Sequence, residues 1–277
     1  MFNRLTSPLA LVLSLVAFPT AAATVDGIPL HWSASGSGPR TVMLIHGWTC
    51  DSTSWDAQVP ALAKQYRVIA LDLPGHGRSG SPADGKFSMD LFARAVEAVR
   101  SEAGADKVVL VGHSMGAPVI REYARLFPQR VAALVAADGT FVAPAGGRGA
   151  MPAMTLTGPS GLAARDAMIR GMFGPSTPRD VQDKVLKMML GAPEATAAGA
   201  MNAMMAWVAA PQDTTPKRLP VLGIYAEKSP AGNRESTTKI FPSFEYQEIP
   251  GTSHFLMMEK PDDFNGRLTT FLAKLPY

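Results

Sequence analysis

A single cysteine, Cys50, stands in 277 residues, so no internal disulfide can staple the fold in any redox compartment. It reads as a small, half-buried hydrophobe. Charge is also sparse, at 18% of residues, and nearly balanced: 26 basic against 23 acidic side chains give a formal net charge of +3. No block of lysine and arginine is long enough to follow a phosphate backbone, which argues against nucleic acid as a partner. Long apolar runs are missing too. The stretch 9–18 is about ten residues long, too short for a helix to cross a hydrocarbon layer of roughly 30 Å. No stable membrane span is expected.

That stretch has the make-up of an export signal. Arg4 precedes the apolar run, Pro19 follows it, and Ala21, Ala22 and Ala23 place small residues where a signal peptidase cuts. Residues 1–23 are therefore expected to be a signal peptide, and the protein to be exported to a bacterial periplasm or the medium. Hydrophobic residues, by contrast, are plentiful at 47%, enough for one sizeable core.

Their pattern is informative. Runs at 41–46 (TVMLIH), 67–72 (RVIALD), 107–112 (KVVLVG), 131–137 (VAALVAA), 221–226 (VLGIYA) and 244–249 (FEYQEI) are mostly rich in β-branched or apolar residues. Nearly continuous apolar runs suit strands buried on both faces of a parallel sheet. Helix-like stretches lie between them at 54–64, 88–103, 115–127 and 262–274, with Ser88 placed to cap the second and Pro261 to open the last. The alternation predicts a doubly wound, mostly parallel α/β sheet. Asp26-Gly27 signals an antiparallel hairpin over 24–33 at the sheet edge, followed by a loop at 35–39. From 140 to 216 no strong strand signal appears; a Gly/Pro-rich opening leads into methionine-rich helical segments. The expected division is a core of 24–139 plus 217–277 and an inserted helical cap of 140–216. Most of its methionines are expected to pack the cap onto the sheet, with a few left to line an apolar pocket.

Gly112-His113-Ser114-Met115-Gly116 fits G-x-S-x-G, and it falls between a strand signal and a helix signal. That context is what the chemistry needs: a sharp strand-to-helix turn lifts the serine hydroxyl above the sheet, and the helix N-terminus favours an anion beside it. Ser114 is the expected nucleophile. Its hydroxyl needs a base, and of the five histidines only His254 follows the last strand signal. His113 is nearer in sequence, but a neighbour on a sharp turn points elsewhere. His46-Gly47-Trp48 follows the first buried strand, and the Trp48 and Met115 N–H groups are expected to form an oxyanion hole. His46 is expected to hold that loop by hydrogen bonding.

Together, HGW at 46–48, DLPGHGRSG at 72–80, GHSMG at 112–116 and GTSH at 251–254 resemble the α/β-hydrolase superfamily, in particular its esterase, haloperoxidase-like and C–C hydrolase branch. The resemblance covers most of 25–277 outside the insertion. It implies the α/β-hydrolase fold, no metal, no cofactor, and a covalent acyl-enzyme or related mechanism.

One departure stands out. The family's common acid position falls here on Ser229, in Ala226-Glu227-Lys228-Ser229. Asp138, at the end of the preceding strand, is the favoured replacement; Glu227 is the alternative, and a site without a working acid is a third reading. The expected function is hydrolysis of small to medium apolar carboxylic esters, with thioesters and lactones open to the same parts. The alternatives are a non-catalytic binding protein on a hydrolase scaffold, which the displaced acid favours, and an acyltransferase.

Overall fold

The computed structural model describes residues 23–143, 156–211, 213–215, 217–231 and 233–276. The expected signal peptide, apart from Ala23, lies outside them, as do Met151 and Met154 of the insertion.

Nine strands are described: β1 (Thr24–Val25), β2 (Ile28–Pro29), β3 (Trp32–Ser35), β4 (Thr41–Ile45), β5 (Arg67–Leu71), β6 (Val108–His113), β7 (Val131–Ala137), β8 (Val221–Ala226) and β9 (Phe244–Ile249). The helices are α1 (Gln58–Leu62), α2 (Met89–Glu102), α3 (Gly116–Leu126), α4 (Gly158–Arg170), α5 (Arg179–Gly191), α6 (Glu194–Ala209), α7 (Arg234–Ile240), α8 (Leu256–Glu259) and α9 (Pro261–Lys274). Strands β3 to β9 form one sheet in the order β3-β5-β4-β6-β7-β8-β9. All its pairs are parallel except β3 with β5. The carboxyl ends of β4 to β9 therefore share one edge, the usual place for a site in such a sheet.

Burial explains why these runs are strands. Every residue of β4, β6 and β8 is buried. Each fully buried Leu, Ile, Val or Phe contributes about 1.5–3 kcal/mol, more than any local preference of so short a segment. Helix α2 opens where expected, with the Ser88 Oγ accepting from the Leu91 N–H at 3.0 Å. It lies beside α3, and the two are tied by the Tyr123 hydroxyl donating to Glu97 at 2.6 Å.

Three local expectations are corrected. The helix expected over 54–64 is broken into a 3-10 turn, Ser52–Trp55, and the short α1. Pro60 has no N–H and tolerates only the first turn of a helix, so α1 has to begin just before it. The hairpin over 24–33 is not a sheet edge. Asp26 and Gly27, both at positive φ (49° and 77°), turn β1 back on β2 as a separate two-stranded unit. The antiparallel edge strand is β3, which reaches into the stretch expected as loop. Helix α7 had no sequence signal that was recognised; Asn233 caps it by accepting from the Ser236 N–H at 3.1 Å.

Between β7 and β8 the described residues hold α4, α5 and α6 and no strand. Met189 and Met201 are buried, while Met168, Met172, Met188, Met204 and Met205 pack partly buried against the core. Trp48 Nε1–H donates to the Ala197 carbonyl at 2.8 Å, and the Thr196 hydroxyl to the Gly75 carbonyl at 2.8 Å. These bonds pin α6 to two of the loops at the carboxyl edge of the sheet. Among the described residues no helix is long and apolar enough to cross a membrane.

Candidate active site

Ser114 sits between β6 and α3 at φ 52°, a conformation that is uncommon for a residue with a side chain. Glycine is required on both sides of it. A β-carbon at Gly112 would collide with the Gly116 backbone, and one at Gly116 with the Ile45 carbonyl. The turn is anchored by the Ser114 N–H donating to the Ala137 carbonyl at 3.0 Å. Its strain leaves the hydroxyl partly exposed above the sheet.

Ser114, His254 and Asp138 stand in one hydrogen-bonded row. The Ser114 Oγ lies 2.9 Å from His254 Nε2, and His254 Nδ1 lies 2.6 Å from Asp138 Oδ2. The second carboxylate oxygen accepts from the Ala226 N–H at 3.0 Å. Burial works against the Asp138 charge, but the His254 ring, the Ser229 hydroxyl and the Ala226 N–H together hold its carboxyl below the usual range. An ionised Asp138 fixes the proton on Nδ1, which leaves Nε2 free to accept from the serine. Ser229, the residue at the family's common acid position, thus faces the Asp138 carboxylate.

Glu227 is not brought to His254. Its Oε2 accepts from the Gly251 N–H at 3.2 Å, and its other oxygen lies 3.8 Å from Lys228 Nζ. Trp48 and Met115 flank Ser114. A β-carbon on Gly47 would come within 3.1 Å of Ser114 Cβ, and Met115 opens α3. Among the described residues neither the Trp48 nor the Met115 N–H has an acceptor. His46 Nδ1–H donates to the Gly47 carbonyl at 2.8 Å while Nε2 accepts from the Leu73 N–H at 3.0 Å, tying the 46–48 loop to the 72–80 turn. Asp72 organises that turn by accepting from Ser52 N–H, Arg78 N–H and His31 Nδ1 at 2.8–3.0 Å. His113 is buried, and its Nε2–H donates to the His254 carbonyl at 2.9 Å. Sequence reasoning set His113 aside as a base and missed this backbone contact. No group of three or more metal-ligating side chains occurs among the described residues.

The buried histidines give the fold an acid limit. Burial, reinforced by neighbouring histidines, pushes His76 and His113 down from 6.5 to about 3, and burial also lowers His46. The unfolded chain takes up protons at His76 and His113 near pH 6.5, whereas the folded chain refuses them until about pH 3, and His46 is shifted in the same direction. Stability is therefore whole above about pH 6.5 and declines progressively as the pH falls toward 3. The melting temperature, followed by circular dichroism from pH 8 to 4, is expected to fall below pH 6.5. A flat profile down to pH 4.5 would contradict this.

Comparison with known proteins agrees with the fold. Residues 40–157 match the family model for the alpha/beta hydrolase fold. Over 260 residues the chain is 31% identical to the dihydrolipoyllysine-residue acetyltransferase component of the acetoin cleaving system of Pseudomonas putida, covering 91% of this chain and 69% of that protein. It is 46% identical over 130 residues to a pimeloyl-[acyl-carrier protein] methyl ester esterase of Methylococcus capsulatus, which is 46% of this chain and 48% of that one. The structure of a thermophilic esterase from Thermogutta terrifontis superposes with a TM-score of 0.78 at 25% identity, over 92% of this chain and 97% of that one. The chain belongs to the α/β-hydrolase superfamily.

Proposed function

We propose that the protein is a serine hydrolase acting on small to medium carboxylic esters. The observation that carries this reading is the hydrogen-bonded row Ser114–His254–Asp138 on a strained strand-to-helix turn. Ser114 Oγ attacks the acyl carbon as His254 Nε2 takes its proton. The oxyanion forms beside the Trp48 and Met115 N–H groups, each such donor being worth about 2.7–4 kcal/mol to the transition state. Collapse breaks the ester bond, and the alcohol leaves with the proton from His254. Water then attacks the acyl-serine by the same route in reverse, releasing the acid and restoring the hydroxyl. Asp138 holds the Nδ1–H tautomer and offsets the imidazolium charge.

Helices α4–α6, within the cap of 140–216, supply the apolar cover that favours small or medium apolar esters over polymers. The esterase relatives support ester hydrolysis as the reaction class. Against a non-catalytic binding protein, which the displaced acid favoured, stands the His254–Asp138 bond. Acyl transfer is the second reading, supported by the acetyltransferase name of the Pseudomonas putida relative. It differs only in the group that takes the acyl chain. Export rests on the composition of residues 1–23 and is part of the proposal.

The test is the intact mass of the mature protein after treatment with a small fluorophosphonate, beside Ser114→Ala. One adduct on the wild type and none on the variant is expected. A folded wild type that takes up no adduct would overturn the serine-hydrolase reading. Product analysis in the presence of an alcohol then separates hydrolysis from transfer: ester exchange outrunning acid release would favour the second reading.

A further inference from the structure

His254 is held by more than Asp138. The residue before it, Ser253, gives both its donors to one carboxylate: its N–H to Glu259 Oε2 at 2.8 Å and its hydroxyl to Glu259 Oε1. Ser253 Oγ is also 3.0 Å from Thr177 Oγ1, and Thr177 Oγ1 accepts from the Gly174 N–H at 2.9 Å. A carboxylate only accepts and an N–H only donates, so the direction of the chain is fixed. It runs from the Gly174 N–H to the Thr177 hydroxyl, on to the Ser253 hydroxyl, and ends on Glu259.

Residues 172–177 follow α4 in the helical insertion, whereas Ser253 and Glu259 belong to the base loop and α8. The chain of hydrogen bonds therefore fastens one to the other, 76 residues apart in sequence. Three further contacts cross the same seam. The His254 N–H donates to the Met172 carbonyl at 3.4 Å, Ser176 Oγ–H donates to the Gly251 carbonyl at 3.0 Å, and the Phe173 and Phe255 rings lie 6.0 Å apart. The His254 main chain is thus gripped on its N–H by the insertion and on its carbonyl by His113.

We propose that the helical insertion positions the general base. Thr177 and Glu259, acting through Ser253, are positioning residues that keep His254 Nε2 in line with Ser114. This rests on reading His254 as the base. The insertion is then a structural part of the catalytic machinery as well as a cover for substrate, and it has to stay seated on the 251–254 loop throughout turnover. Directional hydrogen-bond chains polarise one another, so losing a single hydroxyl weakens the whole chain. A small displacement of a base costs rate steeply, up to about 100-fold for 1 Å.

Thr177→Val removes only the hydroxyl, at nearly constant shape, and Thr177→Ser keeps it. With p-nitrophenyl acetate and a fluorophosphonate as probes of the mature protein, Thr177→Val is expected to lower kcat and the labelling rate of Ser114 together, each about tenfold. KM should stay within about twofold of wild type and Tm should fall by a few degrees, since the Gly174 N–H loses its acceptor, while Thr177→Ser should behave as wild type. Glu259→Gln, which keeps one acceptor oxygen of two, should fall in the same direction. Wild-type kcat and labelling in Thr177→Val would overturn the proposal, as would a change in KM alone or equal impairment of Thr177→Ser. A wild type that fails to label would sink the underlying assignment of nucleophile and base, and this proposal with it. A wild type that labels beside an unimpaired Thr177→Val would sink the positioning role alone.

Discussion

Ser114→Ala is expected to lower ester turnover by on the order of 10⁶-fold, with KM and melting temperature close to wild type. The size follows from what is lost. The hydroxyl is the only atom at the turn that can form the acyl-enzyme, and His254 Nε2, 2.9 Å away, then has no proton to take from it. What remains is water reacting beside the oxyanion donors. Their preorganisation leaves a residual acceleration of about 10³–10⁴-fold over the uncatalysed reaction. Alanine tolerates the positive φ no better and no worse than serine does, so the turn and its glycine contacts survive the change. Steady-state rates on p-nitrophenyl esters check the expectation. A variant within tenfold of wild type would remove Ser114 from the chemistry.

The site's main parts were legible because each is tied to a local signal. Ser114 lies between an apolar strand run and a helical run, and His254 is the only histidine after the last strand signal. Asp138 required a different argument. Its adjacency to His254 follows from the parallel order β7-β8-β9: the carboxyl ends share one edge, and the loop after β9 carries His254 back across β8 to the end of β7. A sequence gives that only through the fold family. The Thr177–Ser253–Glu259 chain had no periodicity and no motif to mark it, because it spans the insertion and the base loop. The breaks in secondary structure have local causes: Pro60 shortens α1, and the tight Asp26-Gly27 turn closes β1 on β2 before the sheet begins. Hydrophobic periodicity averages over several residues and passes over such single-residue effects.

The sharpest discrimination concerns the acid. Asp138→Asn is expected to lower kcat by about 10⁴-fold, while Glu227→Gln stays within a few-fold of wild type. The asparagine has two ways to sit, and both fail. With its carbonyl toward the Ala226 N–H, which now donates to Oδ1 at 3.0 Å, its NH₂ faces His254 Nδ1. That makes Nδ1 an acceptor and puts the ring proton on Nε2, the nitrogen that has to receive the serine proton. With the amide reversed, the NH₂ meets the Ala226 N–H, donor against donor, in a buried site where an unmade hydrogen bond costs about 1–3 kcal/mol. The Ala226 N–H therefore selects the unproductive tautomer, and the loss falls on kcat rather than KM. Glu227 has no such hold on the ring, since its carboxylate is spent on the Gly251 N–H and lies near Lys228. A large loss in Glu227→Gln with a small one in Asp138→Asn would transfer the acid to the loop after β8. Large losses in both would mean that Glu227, by holding Gly251, also helps to seat the base loop.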